Sequence, residues 1–221
     1  MIVLENATKF YKTKHDRNYI LNNVTMTIPS ETNIGILGRN GAGKSTLLRM
    51  LGGIDFPNSG KIYSDKSFSW PMGLGGGFQG SMTGRQNIKF VCRVFNKTDK
   101  EIKEIIQFVK DFSEIDDYFD MPIKLYSSGM KSRLSFGLSL AFDFDYLLID
   151  ETLSVGDSKF KKKSKEALMK KIEHSNVLMV SHSMSDLKNI CDAGIVVNNG
   201  EIEYFKDING AIDKYEQLNK E

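Results

Sequence analysis

The chain has 221 residues, enough for one domain with a full core or a domain with a sub-lobe, but not for two large independent domains. Hydrophobic residues make up 40% and charged residues 26%, values of an ordinary globular protein rather than a fibrous or disordered one. A formal net charge of +2, from 30 Lys and Arg against 28 Asp and Glu, argues against a chain whose main work is neutralising long runs of phosphate, and no nucleic acid partner is expected.

Cys92 and Cys191 lie far apart, and His15, His174 and His182 have no metal-ligand spacing, so neither a disulfide framework nor a zinc site is indicated. A reducing cytosol fits this usage. The N-terminal "MIVLENATKFYK" alternates apolar and polar residues without the apolar core of a signal peptide. No segment approaches the roughly 20 apolar residues that span a bilayer. A chain of this kind working at a membrane is brought there by a partner.

In chain order, "IVLEN", "VTMTI" ending at Pro29, and "NIGIL" read as strands. The last runs into a glycine loop and then "KSTLLRML", a strand-loop-helix unit of an α/β fold. "DFPNSGKIYS" carries turn residues and a further short strand. The glycine-rich "WPMGLGGGFQGSMTGRQN" reads as a loop, with Gly73 to Gly77 serving either as a hinge or as plain surface. From Gly84 to about Phe119 the spacing turns helical through Ile88, Val91, Phe95, Ile102, Ile105, Ile106 and Val109. "YSSGMKSRLSFGLSLAF" continues it, giving a helical sub-lobe of about 84–142 inserted in the sheet domain. Two buried-type strands, "YLLID" and "NVLMVS", flank a polar helix around Lys161 to Ile172. "GIVVNNGEIEYF" reads as a hairpin turning at Asn199-Gly200, and "DINGAIDKYEQL" as a final amphipathic helix.

Four groups of residues carry chemistry. In Gly38-x-x-x-x-Gly43-Lys44-Ser45 the glycines let backbone N–H groups converge on phosphates, Lys44 reaches the β/γ oxygens, and the Ser45 hydroxyl meets Mg²⁺. The ligand is a nucleoside triphosphate. At the end of "YLLIDE", Asp150 holds Mg²⁺ through water while Glu151 polarises the attacking water as general base. His182 in "VSHS" follows another buried-type strand, on the same sheet edge as Asp150, where it donates to the γ-phosphate or the water. A lone histidine is more often structural, and the neighbouring motifs decide for the site. Finally, Ser127, Ser128 and Gly129 precede an apolar helix, either as a second anion-binding N-terminus or as a plain serine cap. The basic run "KFKKKSK" suits an anionic lipid or a partner, or is simply the solvated face of a helix.

The order of phosphate loop, "YSSGM", "YLLIDE", "SVGD" and "VSHS" resembles the ATP-binding subunit of ABC transporters over essentially the whole chain. Within that family, "SWPMGLGGGFQGSMTGRQN", "FDMPIKLYSSGMKSRL" and "GDSKFKKKS" look like the ATPases of capsular polysaccharide exporters. The resemblance implies one P-loop nucleotide-binding domain of ABC type over 1–221, with ATP and Mg²⁺ as cofactors. It implies that Tyr11 stacks on adenine and that Gly38, Asn40, Gly41, Gly43, Lys44, Ser45 and Thr46 bind the phosphates. Asp150 then serves the metal shell, Glu151 the water and His182 the γ-phosphate. Ser127 and Gly129 contact ATP held by a second copy, and Asp157 lies across the dimer interface. Two departures stand out: the usual Leu-Ser-Gly-Gly-Gln is Tyr126-Ser127-Ser128-Gly129-Met130 here, and Gln79, the candidate metal-contacting glutamine, falls late against "MTGRQN".

The expected machine is a homodimer closing on ATP at the cytoplasmic face of a bacterial inner membrane, driving a separate multi-span permease, with no direct glycan contact. Export of O-antigen or teichoic acid is the nearest alternative, and a soluble ABC-type ATPase a more distant one. The single set of motifs and the absence of a heptad run weigh against DNA-repair or translation ATPases, and "YSSGM" with His182 weighs against a small-molecule kinase.

Overall fold

Alternation sets the first sheet, and a bulge interrupts it. In the computed structural model, which describes residues 1–13, 16–72, 77–150 and 157–220, strand β1 (Ile2–Lys12) runs antiparallel to β2 (Arg17–Ile28) and to β4 (Ser59–Ser64). The sequence suggests only "IVLEN" and "VTMTI", because the inward phase of β1 changes midway. Ile2 and Leu4 point inward before Asn6, and Ala7 and Lys9 after it, with the register shifting between Leu4 and Ala7. Asn6 takes a φ of 47°, a left-handed conformation that Asn tolerates and that inserts the extra residue. Asn23 does the same on β2 with a φ of 54°.

The bulge leaves room for nothing at Gly60 on β4, where φ is 77° and a Cβ would stand 2.2 Å from the Asn6 carbonyl oxygen. Gly60→Ala is therefore expected to destabilise the protein by about 2 kcal/mol or more, combining left-handed strain with a backbone clash. Thermal unfolding of the variant checks this, and an unchanged Tm would rule it out.

The second sheet has the order β5-β6-β3-β7-β8, formed by β3 (Ile34–Leu37), β5 (Tyr146–Asp150), β6 (Asn176–Val180), β7 (Ala193–Asn198) and β8 (Glu201–Phe205). β5, β6, β3 and β7 are parallel, and β8 returns antiparallel. The β7–β8 turn falls at Asn199-Gly200 as expected, with φ of 48° and 84°, the paired positive values of a tight hairpin turn. Helix α1 (Lys44–Leu51) buries Leu47, Leu48 and Leu51 with Ile2, Leu4, Ile28, Ile34, Ile36, Leu148 and Ile195 in one apolar core. On the opposite face, Gly35 and Gly194 have no side chain to hold off α6 (Met184–Ile190) and α7 (Ile208–Leu218). A Cβ at Gly35 would meet Leu187 and Ile208 at 2.9 Å, and one at Gly194 would meet Ala211 at 2.3 Å.

Two compact units result. The first holds both sheets, α1, α6 and α7. The second is helical: α2 (Gly84–Val94), α3 (Asp99–Ser113), two 3-10 turns, α4 (Ser128–Leu140) and α5 (Ser158–Ile172). The expected span of 84–142 covers α2 to α4, whereas the unit begins at Met72 and also takes in α5. Aromatic packing explains this, since Phe112 of α3 meets Phe136 of α4 at 6.2 Å and Phe160 of α5 edge-on at 5.5 Å between ring centroids. Lys163 of α5 also turns inward, donating to the Phe112 carbonyl at 2.9 Å and pairing with Glu114 at 2.7 Å. The rest of the basic run, Lys159, Lys161, Lys162 and Lys165, stays on the exposed face.

Capping boxes start two of these helices. Thr83 and Gln86 cap α2, and Thr98 and Glu101 cap α3. The Thr98 hydroxyl and backbone hold the Glu101 carboxyl down to about 2.

Candidate nucleotide-binding site

The candidate site lies in the sheet unit, at the carboxyl ends of its parallel strands, where ligands of open α/β sheets bind. Strand register brings the pieces level. Ile36 of β3 pairs with Val180 of β6, and Val180 with Asp150 of β5. Gly38 and His182 each follow two residues beyond that level, so a glycine loop, a carboxylate and an imidazole share one sheet edge.

The loop's path depends on glycine. Gly38 (φ 155°) would put a Cβ 2.5 Å from the Val197 carbonyl oxygen, and Gly43 (φ 100°) would drive one to 2.4 Å from Ile20. Gly43 also starts α1 without a side-chain cap, and the first turn holds no acidic residue, so the positive end of the helix is not neutralised from within. Lys44, buried at 7% exposure, lies back along the loop and donates to the carbonyls of Gly38 at 2.9 Å and Arg39 at 3.2 Å. The Ser45 hydroxyl donates to Asp150 Oδ1 at 2.9 Å, joining the helix start to the strand end across the chain.

A pocket of about 510 Å³ opens over this arrangement, lined by Tyr11, Asn18, Ile20, Asn40, Gly41, Gly43, Lys44, Ser45, Thr46 and His182. Its lining combines an aromatic ring and an aliphatic side chain with polar and cationic groups, the mixture that a nucleotide needs. The sequence reading missed Asn18 and Ile20. They belong to the half of β2 hidden by the bulges, and only the pairing of Tyr11 with Asn18 across the β1–β2 turn brings them to the pocket.

Glu151 falls outside the described residues, as do Gly73 to Gly76. Ser127, Gly129, Gln79 and Asp157 all belong to the helical unit. Ser127 caps α4, its hydroxyl accepting from the Met130 N–H at 3.2 Å, while a Cβ on Gly129 would meet the Ser127 hydroxyl at 3.9 Å, an ordinary contact. Asp157 caps α5 through the Phe160 N–H at 2.9 Å and pairs with Arg133 at 2.7 Å, contacts that hold its carboxyl below the usual range. Gln79 is tied through its backbone, the N–H donating to Asn87 Oδ1 and the carbonyl accepting from Asn87 Nδ2.

The family model described as "ABC transporter" matches residues 21–154. Over 216 residues the chain is 53% identical to the polysialic acid transport ATP-binding protein KpsT of Escherichia coli, covering 97% of this chain and 96% of that one. It is 43% identical to the capsule polysaccharide export ATP-binding protein CtrD of Neisseria meningitidis serogroup B, over 99% of this chain and 100% of the relative. Among solved structures, the ATP-binding cassette MJ0796, a dimer in a post-hydrolysis state bound to ADP and Pi, superposes with a TM-score of 0.73 at 23% identity. That superposition covers 94% of this chain and 99% of the other, and at such identity it establishes the fold. With the phosphate loop, the Ser45–Asp150 bond and these relatives in agreement, the chain belongs to the ABC transporter family and is one of its ATPases.

Proposed function

We propose that this chain is the ATP-hydrolysing subunit of an exporter that carries capsular polysaccharide across a bacterial inner membrane. The cargo rests on identity of 53% and 43% to relatives named for polysialic acid transport and capsule polysaccharide export, across nearly the full length of each. No helix among the described residues is long and apolar enough to cross a membrane, so a separate permease supplies the path. The cassette works at its cytoplasmic face.

One geometric observation carries the chemistry: the 2.9 Å bond between Ser45 and Asp150 beside the glycine loop. A hydroxyl and a carboxylate are hard oxygen donors suited to Mg²⁺, which keeps waters and phosphate oxygens as its other ligands. When bound, that ion neutralises charge on the phosphates. Lys44 draws the β/γ oxygens, Glu151 orients and deprotonates the attacking water, and His182 donates to the γ-phosphate. Tyr11 receives the adenine ring at the apolar end of the pocket. Two copies close head to tail, each offering Ser127 and Gly129 to the ATP of the other with Asp157 at the joint, and closure drives the permease.

The test is to tag the chain in its native cell, solubilise membranes in detergent with ATP present, and identify what co-purifies. An equimolar multi-span membrane protein is expected. Recovery of ribosomes or DNA, with no membrane protein, would overturn the exporter reading and leave the ATPase chemistry standing.

A further inference from the structure

We propose that the Lys9–Asp55 ion pair is the positioning element for Tyr11, holding its ring at a set distance from the phosphate loop and so defining the seat of the adenine base. The proposal rests on the reading above, in which the pocket holds ATP with its base against Tyr11.

A buried lysine is the starting observation. Lys9 is only 8% exposed, and an ammonium is taken out of water at high cost unless fully paired. Its partners are Asp55 Oδ1 at 2.7 Å and the Phe56 carbonyl at 2.8 Å. The Lys9 hydrogen bond, opposed by burial, keeps the Asp55 carboxyl below the usual carboxylate range. Tyr11 stands over both groups. The Lys9 ammonium lies 5.5 Å from the centre of its ring, and its hydroxyl reaches Asp55 Oδ2 at 3.4 Å. An exposed tyrosine would otherwise lose rotamer freedom on receiving a base, and a ring already held avoids that loss.

The pair also ties β1 to the segment that follows α1. Asp55 lies four residues beyond the end of α1, with its own N–H bonded to the Arg49 carbonyl at 3.2 Å. Its loop is stitched to β1 twice more, by Phe10 N–H to Asn58 Oδ1 at 2.8 Å and Asn58 N–H to the Thr8 carbonyl at 2.7 Å. The helix whose first residue is Lys44 is therefore connected to the strand bearing Tyr11 through Asp55. Nothing in the phosphate-loop motif encodes this link.

Calorimetry separates base from phosphates, with ATP and inorganic tripolyphosphate titrated in EDTA into the wild type, Asp55→Asn, Tyr11→Ala and the double variant. Asp55→Asn is expected to weaken ATP about fivefold, leave tripolyphosphate unchanged, and add nothing once Tyr11→Ala is present. Because Asp55→Asn strands a buried ammonium, Lys9→Met combined with Asp55→Leu supplies a charge-free replacement of similar volume, and the same selective loss is expected. Equal weakening of both ligands would show a general effect on the loop and overturn the proposal. Weakening by Tyr11→Ala but not by either change at the pair would overturn it while sparing the base reading. If Tyr11→Ala leaves ATP affinity untouched, the base reading itself fails, and the proposal with it.

Discussion

Glu151→Gln should leave ATP binding within about twofold and slow hydrolysis by about 10²–10⁴-fold, the usual contribution of a positioned general base. The amide has the shape of the carboxylate but cannot accept a proton from water at neutral pH. Asp150 ends β5 and accepts from Ser45, and the proposed role of Glu151 rests on its being the next residue in the sequence. With hydrolysis blocked, the ATP-bound dimer should accumulate, visible as a shift from monomer to dimer on size-exclusion chromatography with ATP and Mg²⁺. Normal turnover in this variant would remove Glu151 as the base and make His182, which lines the same pocket, the next residue to substitute.

Lys44→Ala should weaken ATP binding strongly with little effect on the fold. The ammonium hydrogen-bonds the carbonyls of Gly38 and Arg39, and the loop's shape is set independently by glycines at φ 155°, 81° and 100°. Charge-assisted hydrogen bonds to phosphate contribute about 3 kcal/mol, so affinity should fall by roughly two orders of magnitude. Thermal unfolding distinguishes the two effects. The variant's own Tm should stay close to that of the wild type, while the rise that saturating ATP produces in the wild type should shrink sharply at the same ATP concentration. A rise of equal size in Lys44→Ala would mean that the ammonium does not hold the phosphates.

What can be read directly from the chain is what local spacing encodes. Gly38, Gly43, Lys44 and Ser45 are neighbours in sequence, and the loop they form needs only a strand before it and a helix after it. Asn199-Gly200 forms its turn because both residues accept positive φ. The apolar runs at Tyr146–Asp150 and Asn176–Val180 announce strands buried on both faces, and the Asp150 carboxylate that ends the first and the histidine two residues after the second fall at the sheet edge by topology alone. The short helix α6 gave no such signal, since seven residues provide too few turns for a period to emerge.

Contacts between distant segments depend on geometry that no local pattern carries. Bulges at Asn6 and Asn23 shift the inward phase of β1 and β2, so strict alternation breaks where those strands continue, and Asn18 and Ile20 reach the pocket only through pairing across the turn. Lys9 and Asp55 are 46 residues apart, and no local pattern links them. The sequence by itself determined the chemistry of the phosphates, because that chemistry belongs to consecutive backbone amides and their glycines. Only the tertiary structure decided which residues line the pocket beside the phosphate loop and how Tyr11 is tied to the segment after α1, because burial and strand register are properties of segments that meet after folding.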